Sequence, residues 1–375
     1  MRILLSFAGG HGHFVPLAPI GRAALAAGHA VAFACQSAML GAVARAGFAG
    51  FDAGGNTTNT ELRPLLPVDM ARERMAVRRA YAGRIARERA ERLVALCAAW
   101  RPDVVVCDEM DFGAMAAAER SGVPHAVVLV IAAEDFAPAA LVEAPLAALR
   151  DVLGLAADPL QLMRRGSLVL SPFPAALRPG AALRFRPGGC GESGDAAWRD
   201  GLPPGKVVHM TLGTVFNLES GDLFARLLAA AGHVPASVVM TVGDGVDIAG
   251  LGALPGNVRV HRYLPVGSVL PRCALVVSQG GSGIVTATLA HGLPAVLLPM
   301  GADQPLTAAR CAALGVARVL DPVAATAAEI AAAMLGMLAD APARRAAEAI
   351  AAEMGGFADA AAAVAAIVAR AGPAP

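Results

Sequence analysis

The chain has 375 residues, 56% hydrophobic but only 4% aromatic, which is too long for one ordinary core and suits two α/β domains. A formal net charge of +1 excludes a global field that would draw nucleic acid or an acidic membrane surface, and the apolar runs at 126–133 and 293–300 are too short to span a bilayer. The six cysteines (35, 97, 107, 190, 273, 311) form no CxxC pair and have no close His partner, the pattern of reduced structural thiols in a cytoplasmic protein without a metal site.

Residues 2–7 carry one positive charge and a short apolar run that ends at glycines. They read as a first buried strand, not a signal peptide. Further strands are expected at 30–34, 104–107 and 125–130, and helices at 17–27, 38–46, 69–100 and 113–121. The segment 171–204 is rich in Pro and Gly and reads as a weak last strand followed by a linker. A second series starts at Lys206, with strands at 207–211, 237–241, 258–262, 275–278, 295–298 and 317–320. The Ala-rich end, 324–370, should be helical. Short β-like runs alternating with helices describe parallel sheets covered by helices. The expected domains are 1–195, a linker at 196–205, and 206–355, with 356–375 as a terminal helix. Ligands of such sheets bind outside the carboxyl ends of the strands, here in a cleft between the two domains.

Two loops at such ends carry chemistry. The first strand runs into Gly9-Gly10-His11-Gly12-His13. A His there can take a proton from a hydroxyl near neutral pH, or simply cap the next helix. Asp108, Glu109 and Asp111 follow the strand 104–107; one can orient the His, and Asp111 best suits a helix N-cap. In the second half, Ser278 is followed by Gln279-Gly280-Gly281-Ser282-Gly283 and a helical stretch. Strand, glycine loop and helix N-terminus together suit a phosphate, although a plain connecting turn has the same order. Asp303 and Gln304 follow the strand 295–298 and can bind adjacent sugar hydroxyls, or Asp303 can be a helix N-cap. The stretch 72–101 holds nine Arg and three Glu and reads mainly as a solvated face. The segment 131–155 follows a strand end and is expected to line a pocket.

From Val207 to about Leu320 the chain resembles the C-terminal domain of the family 1 glycosyltransferases, enzymes of GT-B fold, in their bacterial natural-product subgroup. The match runs over four blocks in order: Thr211–Asn217, including Thr214; Tyr263-Leu264-Pro265 where the family has Trp-Val-Pro; Gln279–Gly283 in place of His-Gly-Gly-x-Gly; and Asp303-Gln304. In the first half Gly12-His13-Phe14-Val15-Pro16 is similar to the family's Gly-His-x-x-Pro, and Gly28-His29-Ala30-Val31 and Cys107-Asp108 fit the turns that follow. The resemblance implies two Rossmann-like domains with the terminal helix packed back on the first. It makes His13 the general base and Asp108 its orienting carboxylate, with His11 and His29 structural. Thr214, Tyr263, Leu264, Gln279, Gly280, Gly281, Ser282, Gly283, Asp303 and Gln304 become donor contacts: Tyr263 and Leu264 to the base, the glycine loop to the diphosphate, Asp303 and Gln304 to the sugar. Gln279 for His and Ile284 for Thr depart from the family and weaken that grip.

The implied activity is inverting transfer of a (deoxy)sugar from a dTDP-sugar, or less favourably a UDP-sugar, to a hydroxyl of a small aglycone. No cofactor or metal is expected, in keeping with the lack of a DxD motif; a homodimer is compatible. Transfer to carbon, or a non-catalytic glycosyltransferase-like partner, would keep the fold. A dinucleotide oxidoreductase would need a GxGxxG turn opening a domain, and none has that form.

Overall fold

The computed structural model describes residues 1–57, 63–186, 198 and 200–372. It divides into two compact units: Met1–Thr58, Met70–Gly188 and Phe357–Pro375 form the first, and Asn59–Asp69 with Gly189–Gly356 the second.

The first unit is a parallel sheet of β1 (Arg2–Ser6), β2 (Ala30–Cys35), β3 (Ala49–Asp52), β4 (Val104–Asp108), β5 (His125–Val128), β6 (Leu168–Ser171) and β7 (Leu183–Arg184), in the order β3-β2-β1-β4-β5-β6-β7. Its helices are α1 (His11–Ala26), α2 (Leu40–Arg45), α3 (Met70–Ala76), α4 (Ala86–Trp100), α5 (Phe112–Arg120) and α6 (Ala139–Leu153), with a π-helix, Val77–Ile85, joining α3 to α4. Residues Ile3–Leu5 and Val104–Cys107 are almost fully buried. This is why they read as continuous apolar runs: a parallel strand is covered on both faces.

The second unit repeats the plan with β8 (Val207–Thr211), β9 (Ser237–Thr241), β10 (Val258–His261), β11 (Leu275–Ser278), β12 (Ala295–Leu297) and β13 (Ala317–Val319), in the order β10-β9-β8-β11-β12-β13. Its helices are α7 (Leu223–Ala231), α8 (Val266–Val269), α9 (Ser282–Ala290), α10 (Gln304–Ala313), α11 (Ala327–Ala339) and α12 (Ala341–Gly355). The last helix, α13 (Ala360–Ala371), packs on α1 in the first unit. There Ala358 pairs with Phe185, and its carbonyl accepts from the Arg186 N–H at 2.8 Å.

Three sequence-derived boundaries change. Helix α1 begins at His11, six residues before the expected Leu17, because Pro16 and Pro19 sit inside it instead of marking its start. Residues 63–69 belong to the second unit. Leu65 packs on that core, and the Arg63 N–H donates to the Leu218 carbonyl at 2.8 Å. Of the linker expected at 196–205, residues 196, 197 and 199 lie outside the described residues. Trp198 and Leu202 pack against Val207 and Val239 of the second unit.

His209 sits in the middle of β8, buried, with Nδ1 3.2 Å from the Val239 carbonyl. Burial holds its imidazole at about 4, against an ordinary 6.5, and the hydrogen bond only partly opposes this. The unfolded chain therefore takes up a proton below pH 6.5 that the folded chain refuses until about pH 4, so stability falls with pH through that window. The loss expected from this residue is on the order of 3 kcal/mol. Urea unfolding at pH 7 and pH 4.5 should show a steeper decline for the wild type than for His209→Asn. Equal declines would mean that His209 is not held neutral.

Candidate active site

In an open parallel sheet the crevice opens where neighbouring strands send their connections in opposite directions. In the first unit that point lies between β1 and β4. The connection from β1 leads through Gly9 and Gly10 into α1, which puts His13 in the first helical turn; β4 ends on Asp108. His13 Nδ1 is 3.1 Å from Asp108 Oδ2, and the imidazole keeps 17% of its side-chain surface exposed while the carboxylate is fully buried. The Ala8 N–H donates to the same oxygen at 2.8 Å and the Met110 N–H to Oδ1 at 2.6 Å. Backbone donors hold the carboxylate as an acceptor, so His13 presents Nδ1–H to it and its Nε2 is left as the basic nitrogen. Gly9 is required here: a methyl group on it would lie 2.7 Å from both Cγ and Nε2 of His13.

The two acids next to Asp108 have partners of their own. Glu109 accepts from the Val130 and Ile131 N–H groups, each at 2.8 Å, and pairs with Arg178 at 2.8 Å. Asp111 caps α5 through the Ala114 N–H and forms a bidentate pair with Arg89, at 2.9 Å to Nε and 2.6 Å to Nη2. Arg89 is a correction to the solvated-face reading of the Arg-rich stretch. It is fully buried, and also donates to Ser6 Oγ at 2.9 Å and the Gly54 carbonyl at 3.1 Å. Burial works against its charge, but the charge and hydrogen bonds of Asp111, with Asp108 adding, raise its pKa above the ordinary value. Its neighbours Arg84, Arg87 and Arg92 do form exposed pairs. His11 is exposed at the first position of α1, and His29 Nδ1 lies 3.3 Å from the amino terminus of Met1.

In the second unit the same topological point falls between β8 and β11, and the loops that follow these strands touch. Gly213, at φ +76°, follows β8, and a Cβ there would run into the Gln279 amide, with Cδ at 3.1 Å. Gln279 is buried between Gly213 and Gly281, and its Oε1 has no hydrogen-bond partner among the described residues. Gly280 takes φ +81°, which glycine adopts without strain, and Gly281 is the N-cap of α9. The Val285 N–H is the first to donate back into the turn. By helix geometry the amides of Gly283 and Ile284 before it point out of the N-terminus.

Asp303 and Gln304 are adjacent, but both are buried and turned inward. Asp303 Oδ2 accepts from Ser282 Oγ at 2.6 Å and Thr307 Oγ1 at 3.2 Å, so it braces the glycine loop; it does not cap its own helix. Gln304 Oε1 accepts from the Met300 N–H at 2.8 Å. Thr214 is exposed, Leu264 packs beside Trp198, and Tyr263 is 70% exposed.

Residues 70–185 match the family described as Erythromycin biosynthesis protein CIII-like, N-terminal domain, and residues 225–369 match its C-terminal counterpart. The L-demethylnoviosyl transferase of Streptomyces niveus is 32% identical over 340 residues, 84% of each chain. The chain belongs to this family of glycosyltransferases of antibiotic biosynthesis. Among solved structures, the glycosyltransferase SnogD from Streptomyces nogalater aligns over 99% of both chains at TM-score 0.78 and 27% identity. The glycosyltransferase VinC in complex with DTDP also covers 99% of both, at TM-score 0.79 and 23% identity. The fold of this glycosyltransferase is therefore GT-B, with a seven-stranded and a six-stranded parallel sheet. No helix among its described residues is long and apolar enough to cross a membrane.

Two features of the first unit near the His13–Asp108 pair were not announced by the sequence. One is Arg89, one Arg among nine. The other is Tyr81 in the π-helix, whose ring lies nearly parallel to the imidazole, at 11° with centroids 6.4 Å apart. The chain has only two tyrosines, and this one interrupts the Arg-rich stretch; that was the available signal.

Proposed function

We propose that this glycosyltransferase moves a (deoxy)sugar from a dTDP-sugar, or less readily a UDP-sugar, to a hydroxyl of a small natural-product aglycone, with inversion. The observation that carries this reading is His13 held through Nδ1 by a buried, backbone-anchored carboxylate at the switch point of the first sheet. His13 Nε2 takes the acceptor's hydroxyl proton, and the oxygen forms its bond to the anomeric carbon. The bond from that carbon to the diphosphate oxygen breaks on the opposite face, and the diphosphate leaves with the electron pair. The α9 N-terminus and the loop from Gln279 to Gly283 would hold the departing negative charge. The exposed ring of Tyr263 offers a stacking face to a pyrimidine, with Leu264 beside it. No metal or cofactor takes part in this scheme.

The test is calorimetric titration with thymidine diphosphate, uridine diphosphate and a dTDP-deoxysugar, followed by NMR of the transfer product for anomeric configuration and the linking atom. Thymidine diphosphate should bind more tightly than uridine diphosphate, and the new bond should be to oxygen with inverted configuration. Because Asp303 grips Ser282, Asp303→Ala should weaken free nucleotide and nucleotide sugar alike. Loss of the sugar nucleotide alone would place Asp303 on the sugar. Failure of every nucleotide to bind the wild type would overturn the donor reading.

A further inference from the structure

His13 has a second set of supports that owes nothing to Asp108. Gln36 follows β2 and is almost fully buried. Its Nε2 donates to the Gly9 carbonyl at 3.0 Å, and its Oε1 accepts from the Thr57 N–H at 2.7 Å. Thr57 Oγ1 also lies 3.4 Å from that oxygen. The Thr57 side chain faces the Tyr81 phenol closely enough to favour its ionised form, and the Tyr81 ring lies along the His13 imidazole. The imidazole in turn rests against Gly9. The contacts therefore close on themselves: Gly9, Gln36, Thr57, Tyr81, His13 and back to Gly9, all within the first unit.

Each member has a structural reason to be where it is. Gly9 alone leaves room for the imidazole. A buried carboxamide is stable only when both its ends are satisfied, and Gln36 satisfies them on two separate loops. A π-turn widens a helix locally and recurs at functional sites; here it carries Tyr81 toward His13. Burial first, and the Asp108 carboxylate second, push the phenol up to about 12, so Tyr81 stays a neutral phenol at working pH.

We propose that Tyr81 is a positioning residue for His13, and that Gln36 and Thr57 lock it there. The hydrogen bond to Asp108 fixes one ring nitrogen but does not by itself fix the plane of the ring about that bond. The face of Tyr81 and the backbone of Gly9 restrict that swing, so Nε2 keeps one direction. The effect on rate rests on the reading of His13 as the base; the effect on the ring does not.

The experiment is nitrogen-15 NMR of the imidazoles of the free protein at about pH 8.5, above the ordinary histidine range. The His13 signal among the eight histidines is assigned by difference against His13→Ala. The wild type should show His13 as the Nδ1–H tautomer. Tyr81→Leu and Gln36→Leu should shift it toward a mixture and lower kcat by roughly 10- to 100-fold, within the range that ångström-scale misplacement costs, with acceptor KM little changed. Tyr81→Phe keeps the ring and should retain the tautomer and most of the rate; Gln36→Glu, which keeps the acceptor for Thr57 but not the donor for Gly9, should fall between. An unchanged tautomer in both Leu variants overturns the proposal, whatever happens to the rate, since a rate loss alone would mean that Tyr81 touches the acceptor. A shifted tautomer with full activity in His13→Ala would uphold the positioning and sink the base assignment instead.

Discussion

His13→Ala is expected to lower kcat by about 10²–10⁴-fold, the usual worth of a positioned general base, while nucleotide affinity stays nearly unchanged. The two halves of the expectation come from different units: His13 sits at the end of β1 in the first, and the glycine loop after β11 in the second. The loss should shrink as the acceptor becomes more acidic, because a phenol or enol gives up its proton with less help. Asp108→Asn should cost less. Asp108 accepts on both oxygens, from His13 and the Ala8 N–H at one and the Met110 N–H at the other. A carboxamide has one acceptor, and it will face the side with two donors. The His13 tautomer then survives, while the Met110 N–H and the charge that stabilises the imidazolium are lost. Turnover on acceptors of graded pKa, with donor affinity measured separately, checks both. Full turnover of His13→Ala on a weakly acidic alcohol would exclude His13 as the base.

The sheets were legible because parallel strands are buried on both faces and so appear as short apolar runs between helical stretches. The same reading placed His13, Asp108 and the Gln279–Gly283 loop at strand ends, where the topology does put them. What stayed hidden depended on contacts distant in sequence. Pro16 and Pro19 look like helix breakers, yet α1 runs through both. Leu65 lies outside any strand or helix, and only its burial against the second core reveals which unit holds it. Asp303 and Gln304 are adjacent in sequence, but no local pattern announces that Asp303 Oδ2 meets Ser282 and Gln304 Oε1 the Met300 N–H. Tyr81 carries no local pattern that announces a ring 68 residues away at position 13, since side-chain stacking across elements has no sequence period.

Arg89 is the extreme case of the same limit, and it leads to the largest stability effect expected in this chain. Nothing local separates it from the exposed arginines around it, yet it is the one whose guanidinium is enclosed by Asp111, Ser6, Gly54 and the Ala34 carbonyl. Gly113 lets α5 approach at this point, for a Cβ there would lie 2.8 Å from the Cβ of Arg89. Removing one partner of such a pair leaves the other charge buried without compensation, which typically costs about 3–5 kcal/mol. Arg89→Met should therefore shift the urea midpoint of the first unit strongly downward. Arg89→Lys should recover only part of this, because an ammonium cannot present the planar fork that meets both Asp111 oxygens and still reach Ser6 and Gly54. The double variant Arg89→Met/Asp111→Asn removes both charges, keeps an acceptor for the Ala114 N–H and turns an amide N–H toward Ser6 Oγ, which can accept it, so it should be more stable than Arg89→Met alone. That recovery is the decisive measurement. If the double variant is no more stable than the single, the damage comes from lost packing around the guanidinium and not from a stranded carboxylate.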